Sequence, residues 1–349
     1  MAIYRIFPEK DTTIWSEPNT AGLYGNAGKD PILTIGGYPD SNDVGRTLRS
    51  LVKFKTKDIN DTLNSKVSGP YSASLNLYNA AATELPVDFK VEGLAISGSW
   101  VNGTSRLDDQ PLGRTGTSWK YKGAAVDEWT SLGGDTYAAP IVSQSFSLDS
   151  SLDLDLNVTS IIDSVYSGSI ANDGILVKIE DTYENENTSS IVLKYFGVDT
   201  HTIFPPYMEF KWEDVSYSSS LTELSTDIAT VSIKNAKEKY TNTDNVRFRL
   251  SARPKYPTRS FVTSSIYLTE YKLPANSYWG IKDEFSGEMI VDFDSTYTKI
   301  SADNTSSYFD IYMNSLQPER FYRLLVKTTL NGSTMVIDNK NLFKVVRNG

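Results

Sequence analysis

Three pairs of carboxylates stand close together in the chain: Asp108/Asp109, Asp153/Asp155 and Asp292/Asp294. Two carboxylates facing each other across roughly 5–10 Å of cleft are what glycoside hydrolysis requires. Acids adjacent in one loop do not span such a gap. Asp153 and Asp155 alternate with Leu152, Leu154 and Leu156, which puts them on the wet face of a strand. The sole histidine, His201, sits in Asp199-Thr-His-Thr-Ile-Phe-Pro-Pro206. Imidazole is the commonest general base, but no nucleophile motif accompanies this one. Its expected role is structural: a ring whose N–H pins a loop just before Pro205 and Pro206 stiffen the entry to a strand. The absence of Cys excludes disulfides, thiolate metal sites and cysteine nucleophiles. A single His excludes multi-His metal centres. Loop acids hold calcium in some proteins, but no complete Asp-x-Asp-x-Asp-Gly loop occurs. The expectation is therefore no catalytic centre, no cofactor and no resident metal, with calcium the one alternative.

Aromatic rings are the other candidate for chemistry at a surface. Trp100, Trp119, Tyr121 and Trp129 fall in residues 99–140, a Gly- and Trp-rich stretch without clear alternation. Exposed rings contact sugars and proteins, so these four are the best candidates for a contact surface; plugging the core beneath a long loop is the more frequent alternative. Arg46, Arg49 and Lys53 make a modest basic cluster that reads as solvated strand-edge charge. The glycines at 22, 25, 28, 36 and 37 are not a phosphate loop, because no Gly-x-x-x-x-Gly-Lys-Ser/Thr occurs.

These residues must be positioned by strands. The chain has 349 residues, 39 % hydrophobic and 12 % aromatic, with a net charge of −9. An acidic chain is a poor ligand for nucleic acid phosphates. The N-terminus lacks the apolar core of a signal peptide, and no apolar stretch approaches the roughly 18 residues of a membrane span. Strand patterns recur at 31–36, 49–55, 71–78, 87–91, 142–148, 174–180, 190–196 and 207–213, and one amphipathic helix fits 158–167, with Thr159 or Ser160 to cap it. A small polar run, Ser216 to Ser220, reads as a linker. Beyond it a second series of strands covers 228–234, 245–252, 261–271, 277–283, 288–293, 308–313, 320–329 and 341–347. The expected fold is all-β: two β-sandwich domains, 1–214 a jelly roll and 215–349 immunoglobulin-like.

Leu316-Gln-Pro318-Glu-Arg-Phe-Tyr322 precedes a strand that alternates Tyr322, Leu324, Val326 and Thr328. This spacing resembles the tyrosine corner of fibronectin type III modules, where a Tyr hydroxyl bonds back to the upstream backbone. Residues 11–212 resemble, segment by segment, a DNRLRE-type domain. The likeness runs through Arg46 to Phe54, residues 71–78, Ser99-Trp100-Val-Asn-Gly with Gln110-Pro111, Leu154 to Thr159 followed by Asn172-Asp-Gly-Ile-Leu176, and Tyr195-Phe196 through Pro205-Pro206 to Phe210. That resemblance implies a jelly roll similar to carbohydrate-binding modules. The chain departs from the family at Lys53-Phe-Lys-Thr-Lys57, and no sugar-binding residue maps onto it.

The opening Met-Ala-Ile-Tyr-Arg-Ile-Phe-Pro-Glu-Lys-Asp-Thr, the stretch Asp199 to Trp212 and the ending Asn341 to Arg347 resemble virion structural proteins of contractile-tailed marine phages, such as those infecting cyanobacteria. The resemblance implies a non-enzymatic protein of the tail, neck or baseplate, made in the host cytoplasm and incorporated into the virion. Its partners would be other virion proteins, in many copies. The alternative is a carbohydrate-binding adhesin that touches a host-surface glycan.

Overall fold

A computed structural model describes residues 2–16, 25–39, 45–83, 85–107, 115–123, 126–184, 190–257 and 269–348. Asp108, Asp109, Gln110, Pro111 and most of the expected strand 261–271 lie outside the described residues. Among the described residues, no helix is long and apolar enough to cross a membrane.

The protein is all-β and divides into two compact units. The first holds Ile6–Lys66 and Ser72–Glu209; the second holds Met1–Arg5, Val67–Tyr71 and Phe210–Gly349. The division thus falls before Phe210, a few residues ahead of the boundary expected after residue 214. It also gives the second unit short segments from near the N-terminus. Ile3 is part of the second unit's core, and Trp212 N–H donates to Ala2 O at 2.9 Å.

Residues up to 212 supply β1 (Ile3–Ile6), β2 (Lys10–Trp15), β3 (Ile32–Pro39), β4 (Gly45–Lys53), α1 (Thr56–Ser65), β5 (Tyr71–Leu77), β6 (Asn79–Thr83), β7 (Phe89–Ile96), β8 (Thr136–Phe146), β9 (Leu154–Asn157), α2 (Thr159–Tyr166), β10 (Ile175–Ile179), α3 (Asp181–Glu184), β11 (Ile191–Phe196) and β12 (Tyr207–Trp212). One sheet runs β6-β11-β3-β4-β10-β7-β8, with β2 also paired to β4; a smaller one runs β1-β12-β5-β9. In β5, Ala73, Leu75 and Leu77 are buried and alternate with half-buried polar residues, the period of two expected of a half-covered strand. Asp155 and Asn157 are exposed between the buried Leu154 and Leu156 of β9, as the alternation implied. Helix α2 forms where expected and buries Ile161 and Ile162, but its start is not capped by Thr159 or Ser160. Thr159 Oγ1 instead accepts from Ala73 N–H at 2.9 Å, tying the helix to β5.

The second unit contributes β13 (Ala229–Ile233), β14 (Lys239–Thr241), β15 (Asn245–Pro254), β16 (Tyr278–Asp283), β17 (Met289–Val291), β18 (Ser301–Ala302), β19 (Ser307–Tyr312), a 3₁₀ turn at Met313–Ser315, β20 (Phe321–Leu330), β21 (Ser333–Ile337) and β22 (Leu342–Val346). Its sheets run β13-β15-β19-β18 and β14-β22-β20-β16-β17, with β21 hairpinned onto β20. This is an immunoglobulin-like strand order. Trp279 on β16 is 1 % exposed and stacks on Phe309 at 5.5 Å and 7°, filling the place of the buried Trp that marks this fold. Leu324, two residues beyond Tyr322, stands where a disulfide-bearing relative of the fold has its second Cys; here the site is packed by a buried aliphatic.

Two expectations about the second unit meet different outcomes. Tyr322 is buried, and its hydroxyl donates to Gln317 O at 2.8 Å, so the corner forms. Leu316 is buried beneath it, and Glu319 takes a φ of 66° as the chain turns after Pro318. The Ser216–Ser220 run, in contrast, is no free linker. Ser216 N–H donates to Ser301 Oγ at 3.1 Å, Ala302 N–H to Ser216 O at 2.9 Å, Ser219 Oγ to Asp303 O at 2.7 Å, and Ser220 N–H to Asn304 Oδ1 at 2.8 Å. Small polar side chains here satisfy a neighbouring backbone rather than water.

Tyr322 and Tyr195 make a paired test. Tyr195 is also fully buried, but its hydroxyl has no hydrogen-bond partner among the described residues. Removing a satisfied hydroxyl costs about 0.5–1.5 kcal/mol, whereas an unsatisfied one has already lost its water without compensation. Tyr322→Phe is therefore expected to lower the melting temperature, and Tyr195→Phe to leave it unchanged or raise it. Equal losses in the two variants would show that Tyr195 has a partner.

Candidate functional site

Of the two readings of the aromatic stretch, the core plug is the one that forms. Trp100, Trp119 and Trp129 are 3 %, 9 % and 4 % exposed and pack with Ile14, Leu51, Ile96 and Leu176. Each indole is fixed from the side as well. Trp100 Nε1 donates to Asp173 O at 2.7 Å, and Trp129 Nε1 to Ser118 O at 3.0 Å. Lys10 lies 4.1 Å from the Trp100 ring centre and Arg49 4.9 Å from that of Trp119. The irregular stretch is thus an aromatic plug over β2, β4 and β10, held because apolar rings gain more by burial than by exposure. Only Tyr121 stays partly exposed, with Lys120 over its ring at 5.2 Å.

The basic cluster is corrected too. Arg49 Nε and Nη2 grip Glu184 Oε1 and Oε2 at 2.7 and 2.8 Å, and Nη1 donates to Gly133 O at 3.0 Å. The Glu184 side chain is fully buried. It also faces Lys178 at 3.7 Å, and Lys178 reaches Glu92 at 3.5 Å and Asp181. The bond from Lys178 holds the Asp181 carboxyl below its ordinary range. Arg46 Nη1 donates to Tyr38 Oη at 2.6 Å, and Lys53 lies 3.8 Å from Glu9. Arg49 and Lys178 are therefore internal struts, not solvated edge charge. Lys178 lies within β10, whose five residues are all buried, and a buried ammonium requires such partners.

Asp153 and Asp294 each accept from backbone N–H groups of their own unit. Asp153 Oδ1 accepts from Asn79 N–H at 2.7 Å, and Asp294 Oδ1 accepts from Thr296 and Tyr297 N–H at 2.7 and 2.9 Å. Both close turns. His201 is exposed and has no hydrogen-bond partner among the described residues, so it does not pin its loop. That task falls to Thr202, whose N–H donates to Thr200 Oγ1 and whose Oγ1 accepts from Phe204 N–H, both at 3.2 Å. Buried Asp11 also helps: its Oδ2 accepts from Val198 N–H at 2.7 Å. Pro206 is buried as the chain enters β12. Among the described residues, no group of three or more His, Asp or Glu is placed to hold a metal ion.

Sequence reading missed Glu184 and Asp11. Glu184 is 135 positions from Arg49, and nothing local marks the pair. Asp11 stands in Lys-Asp-Thr-Thr-Ile-Trp, four of whose six residues are polar, although five of the six residues of β2 are buried.

No protein-family model matches the chain and no curated protein matches it. Among solved structures it is similar to the adhesin domain of Epf from Streptococcus pyogenes, at 10 % identity over 99 % of both chains with a TM-score of 0.18. It is also similar to a DUF4785 family protein from Legionella pneumophila subsp. pneumophila, at 8 % identity over 98 % of this chain and 66 % of that one, with a TM-score of 0.19.

Proposed function

We propose that this chain is a non-enzymatic structural protein of a phage particle, in the tail, neck or baseplate, and that it works by protein–protein contact. One observation carries the reading. The long sheet of the first unit ends in two strands, β6 and β8, that hold no charged residue. Ala80, Ala81, Ala82 and Thr83 are exposed on β6, and Ala138, Ala139, Ile141, Ser143 and Ser145 on β8. Edge strands of free-standing proteins are usually blunted by charge or proline, because an open edge pairs with other chains; β6 carries neither, and β8 carries Pro140. Uncharged edges on a rigid sandwich suit a protein that is covered by neighbours, and many weak contacts add up when copies are arrayed. The inward use of Trp100, Trp119, Trp129, Arg49 and Glu184 supports a scaffold in which these groups hold the fold.

The test is mass spectrometry of gradient-purified particles of the virus that encodes the chain, with antibody labelling to locate it. The chain should copurify with particles at a fixed stoichiometry. Its absence from particles, or release of product when the pure protein is incubated with host envelope polysaccharide, would overturn the reading.

The adhesin alternative has its own supporting observation. Tyr256, 76 % exposed, and the half-buried Tyr271 line a groove of about 480 Å³ in the second unit. Tyrosine rings with polar tips suit sugar contact. A glycan array positive for the wild type and negative for Tyr256→Ala would favour it.

A further inference from the structure

A second groove in the immunoglobulin-like unit has a different chemistry. Its volume is about 450 Å³, and it is lined by residues 236–239, Phe321 and residues 340–342. The topology makes the groove. Strands β14 and β22 pair in parallel from Lys239↔Lys344 onward, and Lys344 N–H donates to Glu238 O at 2.8 Å. Upstream of that pairing the segments 236–238 and 340–342 border the opening, and Phe321, opposite Lys344 at the start of β20, lines it.

Its apolar residues are exposed. Phe321 is 38 % and Leu342 41 % exposed, and Phe285, 81 % exposed, meets Phe321 edge-on at 5.8 Å. Three of its four charged residues are cationic. Lys237, Lys239 and Lys340 are exposed, and none has an ion-pair partner among the described residues; Glu238 is the only acid in the lining. Nearby carboxylates are committed elsewhere: Glu319 to Lys344, Glu284 and Asp338 to Arg323, and Asp283 to Arg320. A chain of net charge −9 therefore presents a locally positive rim around exposed aromatic and aliphatic groups. Apolar anchors inside a charged rim are how protein interfaces are built, with the rim setting the sign of the partner.

We propose that this groove docks an acidic segment of a partner polypeptide, which seats an apolar side chain against Phe321 and Leu342 while its carboxylates meet Lys237, Lys239 and Lys340. The inference deepens the protein-contact reading above and rests on it. Phenylalanine and leucine favour a peptide side chain over a sugar ring, since they offer no hydrogen bond to hydroxyls.

The probe is a fluorescein-labelled twelve-residue peptide of Asp and Glu with one central Leu, read by anisotropy against the full chain. Binding at 50 mM salt should weaken roughly tenfold at 300 mM as the rim is screened. The triple variant Lys237→Glu, Lys239→Glu, Lys340→Glu should lose binding by at least about tenfold, and Phe285→Ser and Leu342→Ser by several-fold. These side chains are exposed, so unchanged melting temperatures would certify the variants. Equal binding by the triple variant, equal binding of a peptide with Ser in place of Leu, or tighter binding of an oligogalacturonate than of the peptide would each overturn the proposal. Presence of the chain in particles without peptide binding would sink the groove assignment alone; peptide binding by a chain absent from particles would sink the particle assignment alone.

Discussion

Glu184→Ala is expected to destabilise the first unit by about 3–5 kcal/mol, the range for removing one partner of a buried ion pair. The magnitude follows from what is left behind. Among the described residues, the guanidinium of Arg49, 19 % exposed, would keep Gly133 O and the Trp119 ring. Lys178, 9 % exposed, would retain Glu92 and Asp181 but face Arg49 without the intervening anion. An exposed pair is worth at most about 1 kcal/mol, so the size of the loss reports burial directly. Glu184→Gln preserves the shape but replaces one acceptor oxygen with a donor, and should recover part of the loss. Replacing Arg49 and Glu184 together with Met should cost less than Glu184→Ala, because no charge is then left without its partner. Urea unfolding followed by tryptophan fluorescence is the measurement, since Trp119 lies against Arg49. A Glu184→Ala loss within about 1 kcal/mol would show that the pair behaves as a surface bridge.

The sequence was legible where a signal is local. The corner closes within seven positions, Leu316 to Tyr322, and a Pro between them restricts the backbone. The alternation in β5 and β9 likewise depends on neighbours two apart, so burial could be read residue by residue. What failed was nonlocal. Nothing in residues 99–140 states whether three indoles cover other side chains or face water; the deciding partners, Ile14, Leu51 and Leu176, come from three separate strands. Arg49 looked solvated because its carboxylate lies far along the chain. Helix α1 is hard to read from sequence because Thr-Lys-Asp-Ile-Asn-Asp-Thr-Leu-Asn-Ser is strongly polar: Ile59 and Leu63 are its apolar residues, so its buried face is too narrow to stand out. Ser216 to Ser220 looked like a linker because small polar residues serve equally to stay in water or to line another strand. His201 was overvalued for being the sole histidine, and rarity carries no information about contacts. In the second unit, Trp279 lay inside a correctly expected strand, but its place opposite Phe309 emerges only once both sheets are folded.

The pH dependence of stability should carry the signature of Asp11. Its carboxyl is 2 % exposed, and burial pushes it from the usual carboxylate value up to about 7. The hydrogen bond from Val198 N–H and the charge of Lys29 oppose that rise, while Asp199 and Asp30 add to it. Below pH 4 the folded and unfolded chains both hold the proton, and the group contributes no pH dependence. Between about pH 4 and pH 7 the unfolded chain releases the proton while the folded chain retains it, so the unfolded state is favoured progressively. Above pH 7 both are ionised and the loss is complete, at about 4 kcal/mol from roughly three pH units at 1.4 kcal/mol each. The direction is opposite to that of a salt-bridged carboxylate, whose stabilisation disappears as pH falls. Asp11→Asn retains an oxygen for Val198 N–H and cannot ionise. The variant should therefore match the wild type near pH 4.5 and exceed it above pH 7. Denaturant unfolding of the first unit's transition at pH 4.5, 6 and 8 measures the difference. Parallel curves for the two proteins across this range would show that Asp11 is ionised in the folded chain throughout, and that the loop from Gly197 to Phe204 is held by a carboxylate rather than by a neutral acid.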